Sequence, residues 1–236
     1  MRPIGFSTGA LAKSDFRVAL EMMRASEVDA VELSALRLHE LAPLVDAAPG
    51  LALSQFRYVS VHVPSAFSEE EELVVTQQLS QLTHFGWPLI LHPDAVHVFS
   101  RWTGFGDLLC LENTDKRKSI GRTADEMQTV FDKLPQAQFC LDIAHARQVD
   151  PSMTETYLLL KRFSSRLREI HISEVNTDSR HDSISRGAVA AFKEVAHLIP
   201  ENTPAIIESP VAAPEFVTEI RRAIESLTPE FIPMAG

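Results

Sequence analysis

Residues 108–145, LLCLENTDKRKSIGRTADEMQTVFDKLPQAQFCLDIAH, decide the fold class because they hold one complete strand–helix–strand unit. Two short apolar runs, each ending in an acid, predict buried strands at Leu108–Glu112 and Phe139–Asp142. Between them, Thr123-Ala124-Asp125-Glu126 is typical of a capping box that opens a helix. Two strands joined through a helix run parallel in one sheet, so this unit predicts an α/β protein.

The same unit recurs along the chain. Apolar runs predict eight strands, at residues 3–7, 30–33, 58–62, 89–92, 108–112, 139–142, 167–172 and 205–208. Amphipathic stretches predict eight helices, of which the first covers 14–26 with Ser14 as its cap and the second covers 36–47. The third begins with the acidic turn 69–72, the fourth covers 94–102 and the fifth begins at residue 123. The last three cover 153–163, 188–197 and 214–226. Strict alternation of eight such units within ~250 residues is typical of a closed (β/α)8 TIM barrel.

We therefore expect one barrel domain at residues 1–227 and a short tail at 228–236. The rival architecture is a doubly wound open sheet, which would carry a Gly-rich phosphate loop after its first strand. Ser7-Thr8-Gly9-Ala10 is not such a loop.

Composition narrows the class of protein. The net charge of −10 and a pI near 5.4 make nucleic acid a poor default partner, because an acidic surface repels a phosphate backbone. The two cysteines lie inside predicted strands and are expected to be apolar core residues. The chain has no apolar stretch near the roughly 18 residues that span a membrane, and its first residues run directly into a strand. We expect a cytoplasmic enzyme, and the sequence leaves homo-oligomerisation open.

Acids and histidines follow the apolar runs at the strand ends, which is where a TIM barrel builds its active site. These strand-end residues are His62, His92, Glu112, Asp142 with His145 three residues on, His171 and Glu208. Several carboxylates in one cavity repel one another unless a cation lies among them. Mixed carboxylate and imidazole donors favour Mn, Fe, Co or Zn, so the pattern predicts a divalent metal site.

This pattern resembles the xylose-isomerase-like TIM barrels, which include the sugar epimerases and endonuclease IV. The resemblance covers nearly the whole chain. In the epimerases one metal is held by Glu, Asp, His and Glu, and these match Glu112, Asp142, His171 and Glu208 in order. In endonuclease IV further histidines complete a three-metal cluster, and the residues that fall in their places are His62, His92, His145 and His181. The resemblance therefore implies one tightly bound divalent ion, with two or three ions as the alternative.

The chain also departs from these relatives. Ser179 stands where the cluster needs an Asp two residues before His181. The epimerases carry a Glu and an Arg at the positions of Lys118 and Thr177. The resemblance is therefore specific for fold and metal, and less so for the reaction.

Further residues are candidates for binding substrate. Lys116 and Arg117, on the loop after the fifth strand, and Arg147 near His145 are expected to bind a phosphate or carboxylate group, with a solvated loop as the alternative. Glu32 ends the second strand and is expected to contact substrate or to hydrogen-bond a ligand histidine, with a structural pairing as the alternative.

Three functions are compatible with these residues. The first is a metal-dependent isomerase or epimerase of a small sugar or sugar phosphate, with Glu112 and Glu208 moving the proton and His145 holding substrate oxygens. The second is a phosphoester hydrolase resembling endonuclease IV, acting on a small or nucleic-acid phosphate ester. The third is a non-catalytic barrel that binds metal. For each enzyme we expect a small partner that is polyhydroxylated or phosphorylated.

Overall fold

A computed structural model describes residues 2–13 and 15–229 of the chain. Ser14, predicted to cap the first helix, and most of the predicted tail lie outside the described residues. The strands are β1 (Ile4–Ser7), β2 (Ala30–Ser34), β3 (Tyr58–His62), β4 (Leu89–Leu91), β5 (Leu109–Glu112), β6 (Gln138–Asp142), β7 (Leu167–Ile172), β8 (Glu174–Val175), β9 (His181–Asp182) and β10 (Ala205–Ile207). The helices are α1 (Thr8–Ala12), α2 (Phe16–Met23), α3 (Leu38–Ala47), α4 (Glu69–Ser80), α5 (Ala124–Phe131), α6 (Ile143–Val149), α7 (Thr154–Phe163), α8 (Arg186–Ala196) and α9 (Phe216–Ser226).

The predicted barrel is confirmed. Eight parallel strands close in the order β1-β10-β7-β6-β5-β4-β3-β2, and the hairpin β8–β9 is a separate antiparallel pair after β7. Within β1 the chain needs Gly5, because an added Cβ would lie 1.7 Å from the carbonyl oxygen of Ala30 on β2. Neighbouring strands therefore approach closely where the barrel closes.

Side chains alternate between two environments along each barrel strand. On β5, Leu109 and Leu111 join the main apolar core that packs the sheet against the helices. Cys110 lies instead in a small interior cluster with Ile90 and Cys140, so the cysteines are buried free thiols as expected. The same alternation gives the strand-end residues the inward direction of the interior set.

The predicted fourth helix at residues 94–102 is wrong. The connection from β4 to β5 consists of short 3-10 turns at Pro93–Ala95, Phe99–Arg101 and Thr103–Leu108. The buried carboxylate of Glu72 accepts hydrogen bonds from the backbone N–H groups of His97 and Val98, which a helix would have paired internally. The alternation of strand and α-helix is therefore broken at this point.

Helix caps explain other boundaries. The Asp15 carboxylate accepts hydrogen bonds from the N–H groups of Arg17 and Val18, so α2 begins two residues after the predicted start. Thr123 caps α5 as predicted. The Glu126 carboxylate accepts from the N–H of Arg122 instead of from Thr123, so the predicted capping box is only half formed.

Two short helices, α1 and α6, were not predicted, and each begins at the residue that follows a strand. They place helical backbone directly at the carboxyl ends of β1 and β6. Across residues 2–13 and 15–229, the helices are all too short or too polar to cross a lipid bilayer.

Candidate metal centre

The strand-end acids and one histidine meet at the carboxyl end of the barrel. Asp142 and His171 are directly paired across β6 and β7. One donor atom from each of Glu112, Asp142, His171 and Glu208 lies within 4.8 Å of the others. All four side chains are buried. The residues matched to the epimerase metal set are therefore brought together in one group.

Glu112 also belongs to a second group. Its Oε2 atom lies 3.2 Å from Nε2 of His62 and 3.1 Å from Nε2 of His92. Its Oε1 atom faces the other way, 3.4 Å from Nδ1 of His171 and 3.5 Å from Nδ1 of His145. The two oxygens of one carboxylate thus face two separate sets of nitrogen donors.

A third group contains Asp142, His145 and His181. The Nδ1 atom of His145 lies 3.1 Å from Oδ2 of Asp142, and the His181 ring lies beside the His145 ring at 5.3 Å between centroids. Ser179, at the position where the cluster needs an Asp, has no carboxylate to offer and exchanges hydrogen bonds with Gln148. This group therefore has fewer carboxylate donors than the one that contains Glu208.

Backbone and side-chain contacts fix the directions of these donors. Nδ1 of His62 donates to the carbonyl oxygen of Val63 at 2.8 Å, so Nε2 is the nitrogen that faces Glu112. The Asn113 amide donates to the carbonyl of Asp142 and accepts from its N–H, at 2.8 and 2.9 Å. The Asp142 carboxylate also caps α6 by accepting from the N–H of His145. The donors are therefore held in place by the protein itself.

The buried carboxylates around Glu208 are stabilised in their charged forms by positive charge nearby. Burial, together with the negative charges of Glu112 and Asp142, raises the pKa of Glu208 well above its usual value. Burial alone would raise the pKa of Glu112 as well, but His92 and His171 hold it well below its usual value. Burial, aided by the nearby His145, lowers the pKa of His181 to about 4, so this imidazole is neutral at neutral pH.

A divalent cation fits the donors that are present. Four buried atoms of the ligand candidates have no hydrogen-bond partner within the described part of the chain: His92 Nδ1, Asp142 Oδ2, His171 Nδ1 and Glu208 Oε2. Unpartnered buried polar atoms are costly, and a cation satisfies the carboxylate oxygens and His171 Nδ1 together. Mixed nitrogen and oxygen donors favour Mn, Fe, Co or Zn, and the identity of the ion stays a prediction.

The centre opens into a cavity of about 390 Å³ at the barrel mouth. Lys13, Arg117 and Lys118 line this cavity together with ligand candidates. The Arg117 guanidinium is held by Asp115, and the Lys118 ammonium lies 2.8 Å from Asp94. The cavity therefore combines a metal-type centre with a cationic rim.

Not every predicted substrate residue lies in this cavity. Lys116 and Arg147 line a neighbouring cleft of about 270 Å³, where Arg147 pairs with Glu174 at 2.9 Å. Glu32 is fully buried 3.0 Å from Nε2 of His171, so it has no surface open to substrate. Of the four residues, only Arg117 faces the mouth.

Sequence reasoning missed Glu169, Lys13 and Asp115. Glu169 lies two residues before His171 on β7 and is fully buried beside it, so period-two alternation was an available signal. Asp115 and Lys13 lie outside the strands, where periodicity gives no direction, and Lys13 has a positive φ of 55°.

A closed barrel of eight parallel strands, with acids and histidines converging at its carboxyl end, defines the class of TIM barrels. The chain belongs to the xylose isomerase-like TIM barrel family, whose model matches residues 106–229. No curated protein matches the chain significantly.

Solved structures share the fold at low identity. Endonuclease IV from Thermus thermophilus is 17% identical with a TM-score of 0.64, over 95% of this chain and 98% of that one. A xylose isomerase domain protein from Alicyclobacillus acidocaldarius is 13% identical with a TM-score of 0.60, over 96% and 98%. A xylose isomerase-like TIM barrel protein from Mycobacterium smegmatis, solved in complex with magnesium, is 12% identical with a TM-score of 0.60, over 97% and 98%.

Proposed function

We propose that the protein is a hydrolase of small phosphate esters that works with two divalent cations. The observation that carries this proposal is the shared Glu112 carboxylate, whose Oε2 faces His62 and His92 while Oε1 faces His171. An isomerase with a single metal has no use for the histidine pair. This contact supports the hydrolase ahead of the isomerase or epimerase that we named first from the sequence.

Two donor sets would hold the cations. One consists of His62, His92 and Glu112, and the other of Glu112, Asp142, His171 and Glu208. When bound, a pair of divalent cations supplies positive charge for phosphoryl oxygens and lowers the pKa of water. Glu112 belongs to both sets, so its carboxylate ties the two donor groups together.

The rim residues are suited to the substrate. Arg117 and Lys118 present fixed cationic groups to the cavity, and such groups form strong hydrogen bonds with phosphate. His181 is neutral at neutral pH and is held by Ser173 at 2.8 Å, so it adds a polar group without repelling a cation. A cavity of about 390 Å³ on a chain of net charge −10 favours a small ester over duplex DNA.

An isomerase or epimerase of a small sugar is the second candidate. It is favoured by the four-residue set Glu112, Asp142, His171 and Glu208, which is complete without the histidine pair. Glu112 Oε1 and Glu208 Oε1 lie 3.4 and 3.6 Å from the same nitrogen of His171, so two carboxylates face one small space. That arrangement suits proton transfer at a carbon beside a carbonyl.

One assay pair separates the two functions. Protein loaded with Mn²⁺ or Zn²⁺ is tested for phosphate release from nitrophenyl phosphate mono- and diesters, and for deuterium uptake from D₂O by ketohexoses and their phosphates. We expect ester hydrolysis that Glu112→Gln abolishes, without deuterium uptake. Deuterium uptake without ester hydrolysis would instead establish the isomerase.

A further inference from the structure

A buried acid pair lies one layer below the metal centre, on the inner side of His171. Nε2 of His171 lies 2.8 Å from Oε1 of Glu169, and Oε2 of Glu32 lies 3.0 Å from the same nitrogen. All three side chains are fully buried. Two carboxylates thus converge on one ring nitrogen that faces away from the mouth.

The opposite nitrogen of the ring is the one that faces the centre. Within residues 2–13 and 15–229, Nδ1 of His171 has no hydrogen-bond partner, and it lies 3.4 Å from Glu112 and 3.6 Å from Glu208. A neutral imidazole carries one proton, and only the nitrogen without it can bind a metal. A group that accepts a hydrogen bond from Nε2–H therefore keeps the proton on that nitrogen and leaves Nδ1 as the nitrogen that can bind a metal.

We propose that Glu169 is a positioning residue that keeps the His171 proton on Nε2 and thereby presents Nδ1 to a cation, an inference that rests on the proposed metal centre. Glu169 makes the shorter and better aligned contact. Glu32 Oε2 lies near the same nitrogen without a hydrogen bond among the described residues, and its other oxygen accepts from Ser34 at 3.3 Å. Ser34 in turn bonds Ser7, which lines the cavity.

The rival interpretation is an inner metal site. Cys140, Glu169 and His171 each place a donor atom within 4.8 Å of the other two. Because Nδ1 of His171 already faces the outer centre, a cation on Nε2 would require the ring to lose both protons. Cys140→Ser distinguishes the two, since it removes a ligand only from the inner site. Cys110→Ser is the matched control, because Cys110 is also a buried interior thiol.

The test measures Zn²⁺ affinity and stoichiometry by competition with a chromophoric chelator. Glu169→Gln keeps the size of the side chain but removes its charge, and we expect the tight-ion affinity to fall about 10- to 100-fold. Glu72→Gln is the control, since Glu72 is a buried acid that accepts bonds from the N–H groups of His97 and Val98 and belongs to none of the donor groups. The control and Cys140→Ser should keep wild-type affinity and stoichiometry.

Unchanged tight affinity in a folded Glu169→Gln variant overturns the positioning role, and loss of an ion in Cys140→Ser establishes the inner site instead. If the wild type binds no divalent cation tightly, the proposed function itself fails. Should Glu169→Gln not fold, ¹⁵N spectra of the Zn²⁺-loaded wild type decide the question. We expect His171 to carry its proton on Nε2, and a proton on Nδ1 overturns the proposal.

Discussion

Nε2 of His62 lies 3.2 Å from Oε2 of Glu112, and both side chains are buried at the barrel mouth. The other ring nitrogen of His62 is bound to the carbonyl of Val63, so Nε2 is left as a donor for a cation. A direct contact between a buried histidine and a buried carboxylate could also be a simple ion pair. The following experiments separate that interpretation from a metal centre.

His92→Ala should remove one cation and leave the other. His92 contacts Glu112 but is not a member of the group that contains Glu208, so that group keeps all its donors. Titration of chelator-treated wild type with Mn²⁺ should show a tight event and a weaker one, and the variant should lose only the weaker. His39→Ala, at an exposed histidine, should behave as wild type. A single wild-type event that His92→Ala leaves intact would show that the histidines are not ligands.

Glu208→Gln should keep the fold but lose the tightly bound ion and activity, by roughly 100-fold or more. An amide cannot balance a cation, whereas the native carboxylate lies among other buried acids that raise its pKa. Metal content and turnover, with circular dichroism as the check on folding, measure this outcome. Wild-type metal content and turnover in the variant would mean that Glu208 is only structural.

Lys118→Ala should raise KM for a phosphate ester about tenfold, with kcat little changed, because it removes one charged hydrogen-bond donor from the rim. Lys116→Ala is a closely matched control, since Lys116 lies two residues away but lines the neighbouring cleft. Equal effects of the two substitutions on KM would argue against the rim as the phosphate site.

Glu72→Gln should destabilise the protein by about 2 kcal/mol at neutral pH, because the buried carboxylate accepts bonds from His97, Val98, Arg101 and Trp102. Burial alone would raise the pKa of Glu72, but these hydrogen bonds, that of Trp102 first, lower it below its usual value. A lowered folded-state pKa gives stability that is present above the unfolded pKa and is lost as pH falls through the folded value. The difference between wild type and variant in urea denaturation should therefore shrink below about pH 4.5.

The control for that experiment is Glu70→Gln, an exposed acid in the same helical turn. It should change the free energy of unfolding by only a few tenths of a kcal/mol. A difference between wild type and Glu72→Gln that stays constant with pH would contradict the role given to the Glu72 charge.

The sequence predicted the strands well because each is an apolar run of the right length, such as Phe139–Asp142, and burial on both faces makes such runs distinctive. It predicted a helix after β4 wrongly because the bonds that oppose that helix come from Glu72, more than twenty residues earlier. Local patterns do not carry such long-range contacts.

Local sequence patterns likewise predict only part of the candidate metal centre. Strand-end position predicted that Glu112 and His171 would converge, since parallel strands end at one edge. The direction of a loop side chain is set by tertiary contacts, so the sequence named Lys116 as a substrate residue although Lys118 is the lysine that lines the cavity of the centre. Glu169 was missed for another reason: its spacing from His171 places both on one face of β7, but acids are ordinarily excluded from a strand interior and only strand ends were considered.

The central claim is that Glu112 is shared by two cations, and anomalous diffraction from Zn²⁺-loaded crystals at the zinc edge tests it most directly. The account predicts two peaks, one among His62, His92 and Glu112, and the other among Glu112, Asp142, His171 and Glu208. A single peak in the Glu208 group, with His62 and His92 still in direct contact with Glu112, would contradict it.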